Sequence, residues 1–261
     1  MRPSPFLRCD REVVVARDEV SISTSDGECR TSVFTPGEGA GPWPAAIFFM
    51  DGLGIRPVLF EMAQRLSDAG YVVLLPDLYY RAGPYEPLDV KEVFASGDVR
   101  AALAPFLGST DNRRAAQDAE AFLAYLGSRD DVAGTKVGTT GYCMGGAIAL
   151  TVAATYPDRI AAAASFHGGS LATDSELSPH LLADRIQGRI YVGAADNDGT
   201  YPPPMAARLI EAFMDAGVEH RHDLYVGAAH GWTMRDAPVY DADAAERHWS
   251  ELLDLFAETL H

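Results

Sequence analysis

A cysteine lies between two glycines at the point where a strand-like apolar run gives way to a helix-like run. The spacing is Gly-x-Cys-x-Gly, formed by Gly141, Cys143 and Gly145 within the segment VGTTGYCMGG at 137–146. A side chain presented on so sharp a turn leaves no room for Cβ atoms two residues to either side, which accounts for both glycines. The N–H groups and the dipole at the start of the following helix favour a thiolate. The pattern predicts a nucleophilic Cys143, with a buried structural cysteine as the alternative.

A thiolate nucleophile needs a base, and the base needs a group that orients it. On sheets that carry a nucleophile at such a turn, the acid and then the histidine follow along the chain, each on a loop after a strand. Asp196 and Asp198 follow one strand-like run, and His230 follows the next. We predict His230 as the base and favour Asp198 as the acid because it stands four residues before Pro202; Asp196 remains an alternative. His167 also follows a strand and is a further candidate for the pocket.

The elements that must position these groups alternate between strands and helices. Strand-like runs are predicted at 13–15, 20–24, 29–35, 45–50, 71–75, 136–140, 160–166, 189–192 and 221–226. Helical spacing covers 58–69, 115–126, 144–155, 205–216 and 242–259. The alternation predicts an α/β fold: a mostly parallel sheet with helices on both faces, preceded by antiparallel lead-in strands within 1–35.

The organisation along the chain indicates one domain over 1–261. The length of 261 residues fits one or two domains, and no composition break, repeat or low-complexity tract marks a second. Two connections, 78–110 and 168–187, are longer than ordinary loops between strands and helices. We expect them to contain short helices and to shape a pocket.

Composition excludes several classes of function. The chain has 21 Lys and Arg against 37 Asp and Glu, a net charge of −16, which repels nucleic acid and anionic membrane surfaces. The three cysteines, Cys9, Cys29 and Cys143, have no paired spacing, which argues against a disulfide framework and a zinc cluster. No signal-peptide core or long apolar stretch is present. We expect a soluble cytoplasmic protein with free thiols and with no metal, cofactor, nucleic-acid or membrane partner.

From about residue 45 onward the chain resembles the dienelactone hydrolase (carboxymethylenebutenolidase) family, cysteine-dependent members of the α/β-hydrolase fold. The resemblance lies in GYCMGG at 141–146, PDLYYR at 76–81 and AHG at 229–231. It implies hydrolysis of an enol lactone or activated ester through a thioester on Cys143, with His230 and Asp198 completing a triad. The substrate would be a small lactone or ester, and an anionic one if the family's arginines are matched.

The resemblance also implies roles for the segment MDGLG at 50–54. The family carries a glutamate after its third strand that binds the resting thiol, and here that position holds Asp51, one methylene shorter. Gly52 and Met144 would supply the two N–H groups of an oxyanion hole. Two arginines clamp the substrate carboxylate in the family. Arg81 matches the first, Arg235 lies one residue later than the second, and Arg56 is a further candidate; these three are the candidates to bind substrate.

Three other interpretations of the cysteine carry less support. A redox sensor would need a resolving thiol, and neither Cys9 nor Cys29 lies near Cys143 in the sequence. A non-catalytic ligand-binding module would not need the cysteine at its sharp turn, the acid and the histidine together. A cysteine amidotransferase normally has a glutamate two residues after its histidine, where this chain has Trp232. The sequence therefore predicts a carboxylic ester hydrolase.

Overall fold

The computed structural model describes residues 17–261, which form a mixed α/β fold around an eight-stranded sheet. The strands are β1 (Asp18–Thr24), β2 (Gly27–Phe34), β3 (Ala45–Phe49), β4 (Val72–Pro76), β5 (Val137–Tyr142), β6 (Ile160–Phe166), β7 (Arg189–Asn197) and β8 (His220–Ala229). Their spatial order is β1-β2-β4-β3-β5-β6-β7-β8. β2 pairs antiparallel with β1 and with β4, and the other neighbours pair in parallel. The predicted α/β class is confirmed; the strand predicted at 13–15 and Cys9 lie outside the described residues.

The helices lie between these strands and carry ordinary start signals. They are α1 (Pro57–Asp68), α2 (Val90–Ala95), α3 (Val99–Leu107), α4 (Asn112–Gly127), α5 (Met144–Thr155), α6 (Pro203–Asp215) and α7 (Ala242–Leu260). Asp111 and Asp241 accept backbone N–H groups at the starts of α4 and α7, which satisfies donors that have no partner inside the helix. No helix within 17–261 has the length and apolar character needed to cross a bilayer.

The two long connections contain short helices. Residues 78–110 include a 3₁₀ turn (Tyr80–Ala82) followed by α2 and α3, whose starts are capped by Asp89 and Asp98. Residues 168–187 include a 3₁₀ helix (Pro179–Arg185). The first connection reaches the carboxyl edge of the sheet, where its apolar side chains line the cavity described below.

The centre of the core explains why β3 and β4 are continuous apolar runs in the sequence. β3, β4 and β5 are buried along their whole lengths, because parallel strands are covered by helices on both faces. α5 is also buried almost all round, from Gly145 to Ala154, which its glycine and alanine content permits. This arrangement places the end of β5 between β3 and β6, at the middle of the sheet.

β7 and β8 extend furthest beyond their predicted ends. β7 continues to Asn197 and β8 to Ala229, and the two residues pair across a register shift that follows Ala195. Asp196 therefore lies in the irregular part of β7, whereas Asp198 is the first residue past the strand. The hydrophobic pattern of the sequence did not predict this extension, because polar and apolar residues do not alternate regularly in the added part of either strand.

Candidate active site

Cys143 occupies a strained turn between β5 and α5. Its backbone has φ 55° and ψ −116°, a region that non-glycine residues rarely adopt. A Cβ atom at Gly141 would lie 1.9 Å from the carbonyl oxygen of Gly145, and one at Gly145 would lie 2.4 Å from the carbonyl oxygen of Phe49. Both glycines are therefore required by the space around the turn, which presents the thiol at the carboxyl edge of the sheet.

His230 and Asp198 form a hydrogen-bonded pair beside this turn. Nδ1 of His230 lies 2.7 Å from Oδ2 of Asp198. The other carboxylate oxygen, Oδ1, accepts from the backbone N–H of Thr200 at 2.8 Å and from its hydroxyl at 2.6 Å. Asp196 instead accepts from the N–H of Gly227 at 3.0 Å and is exposed. Of the two aspartates that the sequence left open, Asp198 is the one that contacts the imidazole.

Electrostatics favour a protonated His230. Burial opposes the charged form, but the negative charge of Cys143 and the hydrogen bond with Asp198 outweigh burial and raise the pKa of His230 to about 10. Burial also opposes the charge of Asp198, yet its hydrogen bonds with His230 and Thr200 hold its pKa below the ordinary range. At neutral pH the site therefore favours an imidazolium at His230 beside the carboxylate of Asp198.

His167 connects the nucleophile turn to the segment that follows His230. The N–H of Cys143 donates to Nδ1 of His167 at 3.1 Å, and Nε2 lies 2.8 Å from the hydroxyl of Thr233. Because Nδ1 accepts, the ring proton is on Nε2 and is donated to Thr233. Burial and the neighbouring His230 hold the pKa of His167 well below its ordinary value, so the ring is neutral. Its position after β6 was the sequence signal for this residue; Thr233 carried none.

A cavity of about 700 Å³ opens above Cys143. One side of the cavity is lined by polar residues and glycines of the candidate site. The remaining wall is formed by α2, α3, the start of α5 and the loop after His230. The apolar lining residues are Leu53, Phe94, Val99, Leu103, Leu107, Met144, Ala147, Met234 and Ala237. The sequence did not point to any of these side chains except Met144.

Gly52 and Met144 both line this cavity. Met144 is the first residue of α5, where an N–H group has no acceptor inside the helix. Among residues 17–261 the N–H of Gly52 makes no backbone hydrogen bond, and its carbonyl oxygen accepts from the hydroxyl of Tyr79 at 2.8 Å. Tyr79 is buried and stacks on Phe106 with ring centroids 5.2 Å apart. These contacts fix the Gly52 peptide, and the sequence pattern did not indicate them.

Asp51 is committed to an ion pair. Its Oδ1 and Oδ2 lie 2.6 Å and 2.8 Å from the two terminal nitrogens of Arg56, and Oδ1 also accepts the N–H of Leu53 at 3.0 Å. Nε of Arg56 donates to Asp236 at 2.7 Å. Burial opposes the charge of Arg56, but the two carboxylates keep its pKa above the ordinary value. Asp51 therefore lines the cavity with both oxygens occupied.

The structure does not bring the predicted arginine clamp together. Arg81 forms two hydrogen bonds to the buried Asp118, at 2.9 Å and 2.7 Å, and one to Asp26 at 2.8 Å. Arg235 is exposed and pairs with Glu61. Neither these two nor Arg56 lines the cavity; among residues 17–261, Arg100 on α3 is the arginine that does. Motif spacing did not reveal these carboxylate partners because they are distant along the chain.

Comparison with known proteins shows which family and fold this chain resembles. The model of the dienelactone hydrolase family matches residues 29–260. A Synechocystis sp. protein provisionally named a carboxymethylenebutenolidase is 27% identical over 223 residues, which cover 84% of this chain and 88% of that protein.

Two solved structures show the same fold. One, provisionally named a dienelactone hydrolase, is from Klebsiella pneumoniae; it has a TM-score of 0.80 at 21% identity and covers 93% of this chain and 98% of its own. The other is a dienelactone hydrolase-like promiscuous phosphotriesterase from metagenomic libraries, with a TM-score of 0.75 at 24% identity, covering 94% and 99%. Together with the family match, they establish the α/β-hydrolase fold. The chain belongs to the dienelactone hydrolase family, whose members are hydrolases that act on lactones or esters.

Proposed function

We propose that this protein hydrolyses a lactone or activated ester through a thioester on Cys143, with His230 as the acid and base and Asp198 as the residue that orients it. The observation that carries the proposal is the 2.7 Å contact between Asp198 and His230, next to a cysteine at a strained turn. Nucleophile, base and orienting acid are the three parts that covalent acyl transfer requires.

In the first step the thiolate attacks the carbonyl carbon, and the carbonyl electrons move to its oxygen. The N–H groups of Gly52 and Met144 stabilise this oxyanion; losing a single donor of this kind costs about 3 kcal/mol of transition-state stabilisation. When the tetrahedral intermediate collapses, the bond to the leaving oxygen breaks and His230 donates its proton to that oxygen. The products of this step are an alcohol or enol and a thioester on Cys143.

In the second step neutral His230 takes a proton from water as the water oxygen attacks the thioester carbon. Collapse of the second intermediate releases the carboxylic acid and restores the thiolate beside a protonated imidazole. Asp198 keeps Nδ1 protonated in both steps, so Nε2 is the nitrogen that gives and receives the proton. An enolate leaves readily without strong protonation, which favours esters and lactones over amides.

Asp51 is assigned a positioning role within this proposal. Both of its oxygens are bonded to Arg56, and one also holds the N–H of Leu53. A carboxylate held in this way is poorly placed to bind or deprotonate the thiol. We propose that Asp51 and Arg56 fix the loop that carries Gly52, and that His230 and the start of α5 stabilise the thiolate.

The test replaces Cys143 by alanine and measures hydrolysis of p-nitrophenyl acetate. In this variant we expect both the initial burst of p-nitrophenol release and the steady-state turnover to disappear, while the circular dichroism spectrum is unchanged. For the wild type, we expect intact-mass spectrometry after rapid quenching to show one acetyl group on Cys143. Cys29→Ala is the matched control, since Cys29 is a buried thiol on β2. Full esterase activity in Cys143→Ala would refute the proposal.

The redox interpretation gains no support from the described residues. Burial raises the pKa of the Cys29 thiol to about 12, which leaves it unreactive at neutral pH. β2, which carries Cys29, is separated from β5 by β4 and β3 in the sheet. Cys29 is therefore a poor resolving thiol for Cys143.

A further inference from the structure

The wall of the cavity beside the oxyanion site is apolar. Leu103 of α3 lies directly over Gly52: a Cβ atom built on Gly52 would be 3.0 Å from Cδ1 of Leu103. Phe94, Val99 and Leu107 continue the same wall. A substrate whose carbonyl oxygen is held by the N–H of Gly52 would lie beside Leu103 and its neighbours.

Arg81 and Arg56, which could bind a substrate carboxylate, form ion pairs with carboxylates of the protein itself. Arg81 is paired with Asp118, which is fully buried, so moving this guanidinium would leave a buried charge without its partner. Arg56 is buried between Asp51 and Asp236. Each of these arginines is therefore fixed by the fold in an ion pair that a substrate would have to break.

The charges that remain in the cavity offer little to an anion. The carboxyl groups of Asp51 and Asp198 each contact a partner of the protein itself, Arg56 and His230 respectively. Arg100 lines the cavity but is exposed to solvent, where its interaction with an anion is screened. The net charge of −16 adds a repulsive field for any anionic substrate.

We infer that the substrate presents an uncharged, apolar acyl group to the wall formed by α2 and α3, so that the protein prefers neutral esters or lactones to those that carry a second carboxylate. This inference rests on the proposed function. Burial of one methylene group favours binding by about fourfold. Each methylene group added to the acyl chain should therefore raise kcat/KM until the chain covers the whole apolar wall.

The experiment compares p-nitrophenyl hexanoate with the mono-p-nitrophenyl ester of glutaric acid, which has nearly the same length but ends in a carboxylate. The wild type should hydrolyse the hexanoate with at least about tenfold higher kcat/KM than either the glutarate ester or the acetate. A preference for the glutarate ester, or no dependence on chain length, would overturn the inference.

Two substitutions in α3 test which of its residues produce the preference for the hexanoate. Leu103→Arg should lower kcat/KM for the hexanoate and raise it for the glutarate ester, because it replaces apolar surface by a cation at the wall. Arg100→Ala, three residues away on the same helix, should leave the ratio between the two esters within about twofold. If Arg100→Ala instead abolishes hydrolysis of the glutarate ester alone, Arg100 binds a carboxylate and the inference is wrong.

A binding measurement separates this inference from the proposed function. Hexanamide and glutaramate are stable amides of matched length, and each is tested for protection of Cys143 against iodoacetamide. Protection by hexanamide at a concentration at least about tenfold lower than glutaramate supports the apolar wall even if no ester is turned over. Equal protection, or stronger protection by glutaramate, overturns it. Loss of all esterase activity, by contrast, contradicts only the proposed hydrolysis.

Discussion

Replacing Asp198 by asparagine tests the hydrogen bond on which the proposed base depends. In the wild type Oδ2 faces Nδ1 of His230 while Oδ1 accepts from Thr200. An asparagine that keeps the bonds to Thr200 turns its NH₂ group toward His230, so Nδ1 must become the acceptor. The ring proton then moves to Nε2 and faces Cys143, and the imidazole has no free nitrogen with which to take a proton from water.

The size of the effect follows from two contributions. A hydrogen bond to a charged group contributes about 1.5–3 kcal/mol, which corresponds to about 10- to 150-fold in rate. The unproductive tautomer of the His230 imidazole adds to this loss. Replacement of the aspartate by asparagine in a Ser-His-Asp triad lowers kcat by about 10⁴-fold. We expect kcat of Asp198→Asn to fall by about 10²- to 10⁴-fold.

The assay is the pH dependence of kcat/KM for p-nitrophenyl acetate, because kcat/KM reports the pKa values of the free enzyme. With the pKa of His230 raised to about 10, activity of the wild type should decline only as the pH approaches that value. Asp198→Asn should move this decline to lower pH, because one of the interactions that raise the pKa is removed. Asp196→Asn is the control; Asp196 is exposed and bonded to Gly227, so its variant should stay within about twofold. A larger loss in Asp196→Asn than in Asp198→Asn would refute the assignment of the acid.

The remaining predictions concern buried histidines. Replacing His167 by phenylalanine removes one of the two acceptors of the Cys143 N–H and leaves the carbonyl oxygen of Phe166, at 3.1 Å, as the other; this should lower the free energy of unfolding by about 0.5–1.5 kcal/mol in urea denaturation. His167→Asn, whose Oδ1 can take the position of Nδ1, should recover most of that loss in the free energy of unfolding; equal losses in both variants would contradict this contact. Acid should destabilise the fold, because burial lowers the pKa of His167 and takes that of His248 to about 3, below their ordinary value of 6.5. As the pH falls below 6.5 the unfolded chain binds protons that the folded chain does not, so each histidine removes about 1.4 kcal/mol per pH unit. His248→Phe should reduce the slope between about pH 6 and pH 5 by that amount, and an unchanged slope would show that His248 is protonated in the folded state.

Local sequence was sufficient to predict the fold class and the sharp turn at Cys143. The alternation of apolar strands and amphipathic helices depends on side-chain spacing within each segment, and α5 and β6 occur at their predicted residues. Gly141, Cys143 and Gly145 lie within five consecutive positions, so the steric demand of the turn is visible in the motif itself. The order of Cys143, Asp198 and His230 along the chain reflects strands that follow one another and meet at one edge of the sheet.

Tertiary structure decided how the charged residues are used. Arg81 pairs with Asp118, 37 positions away, and Arg56 pairs with Asp236, 180 positions away. Spacing along the chain carries no information on such contacts, and a guanidinium binds whichever carboxylate the fold brings near it. The arginines that the family resemblance assigned to substrate are for this reason part of the protein's own ion pairs.

The same reason applies to the site as a whole. A strand extension and a register shift determine that Asp198, and not Asp196, contacts His230. The fold of residues 78–110 determines that Leu103 lies over Gly52. The sequence by itself determined which chemical groups stand at the edge of the sheet, because these depend on local turns. Which of them contact each other, and what surface faces the substrate, depends on the packing of distant segments and was decided only by the tertiary structure.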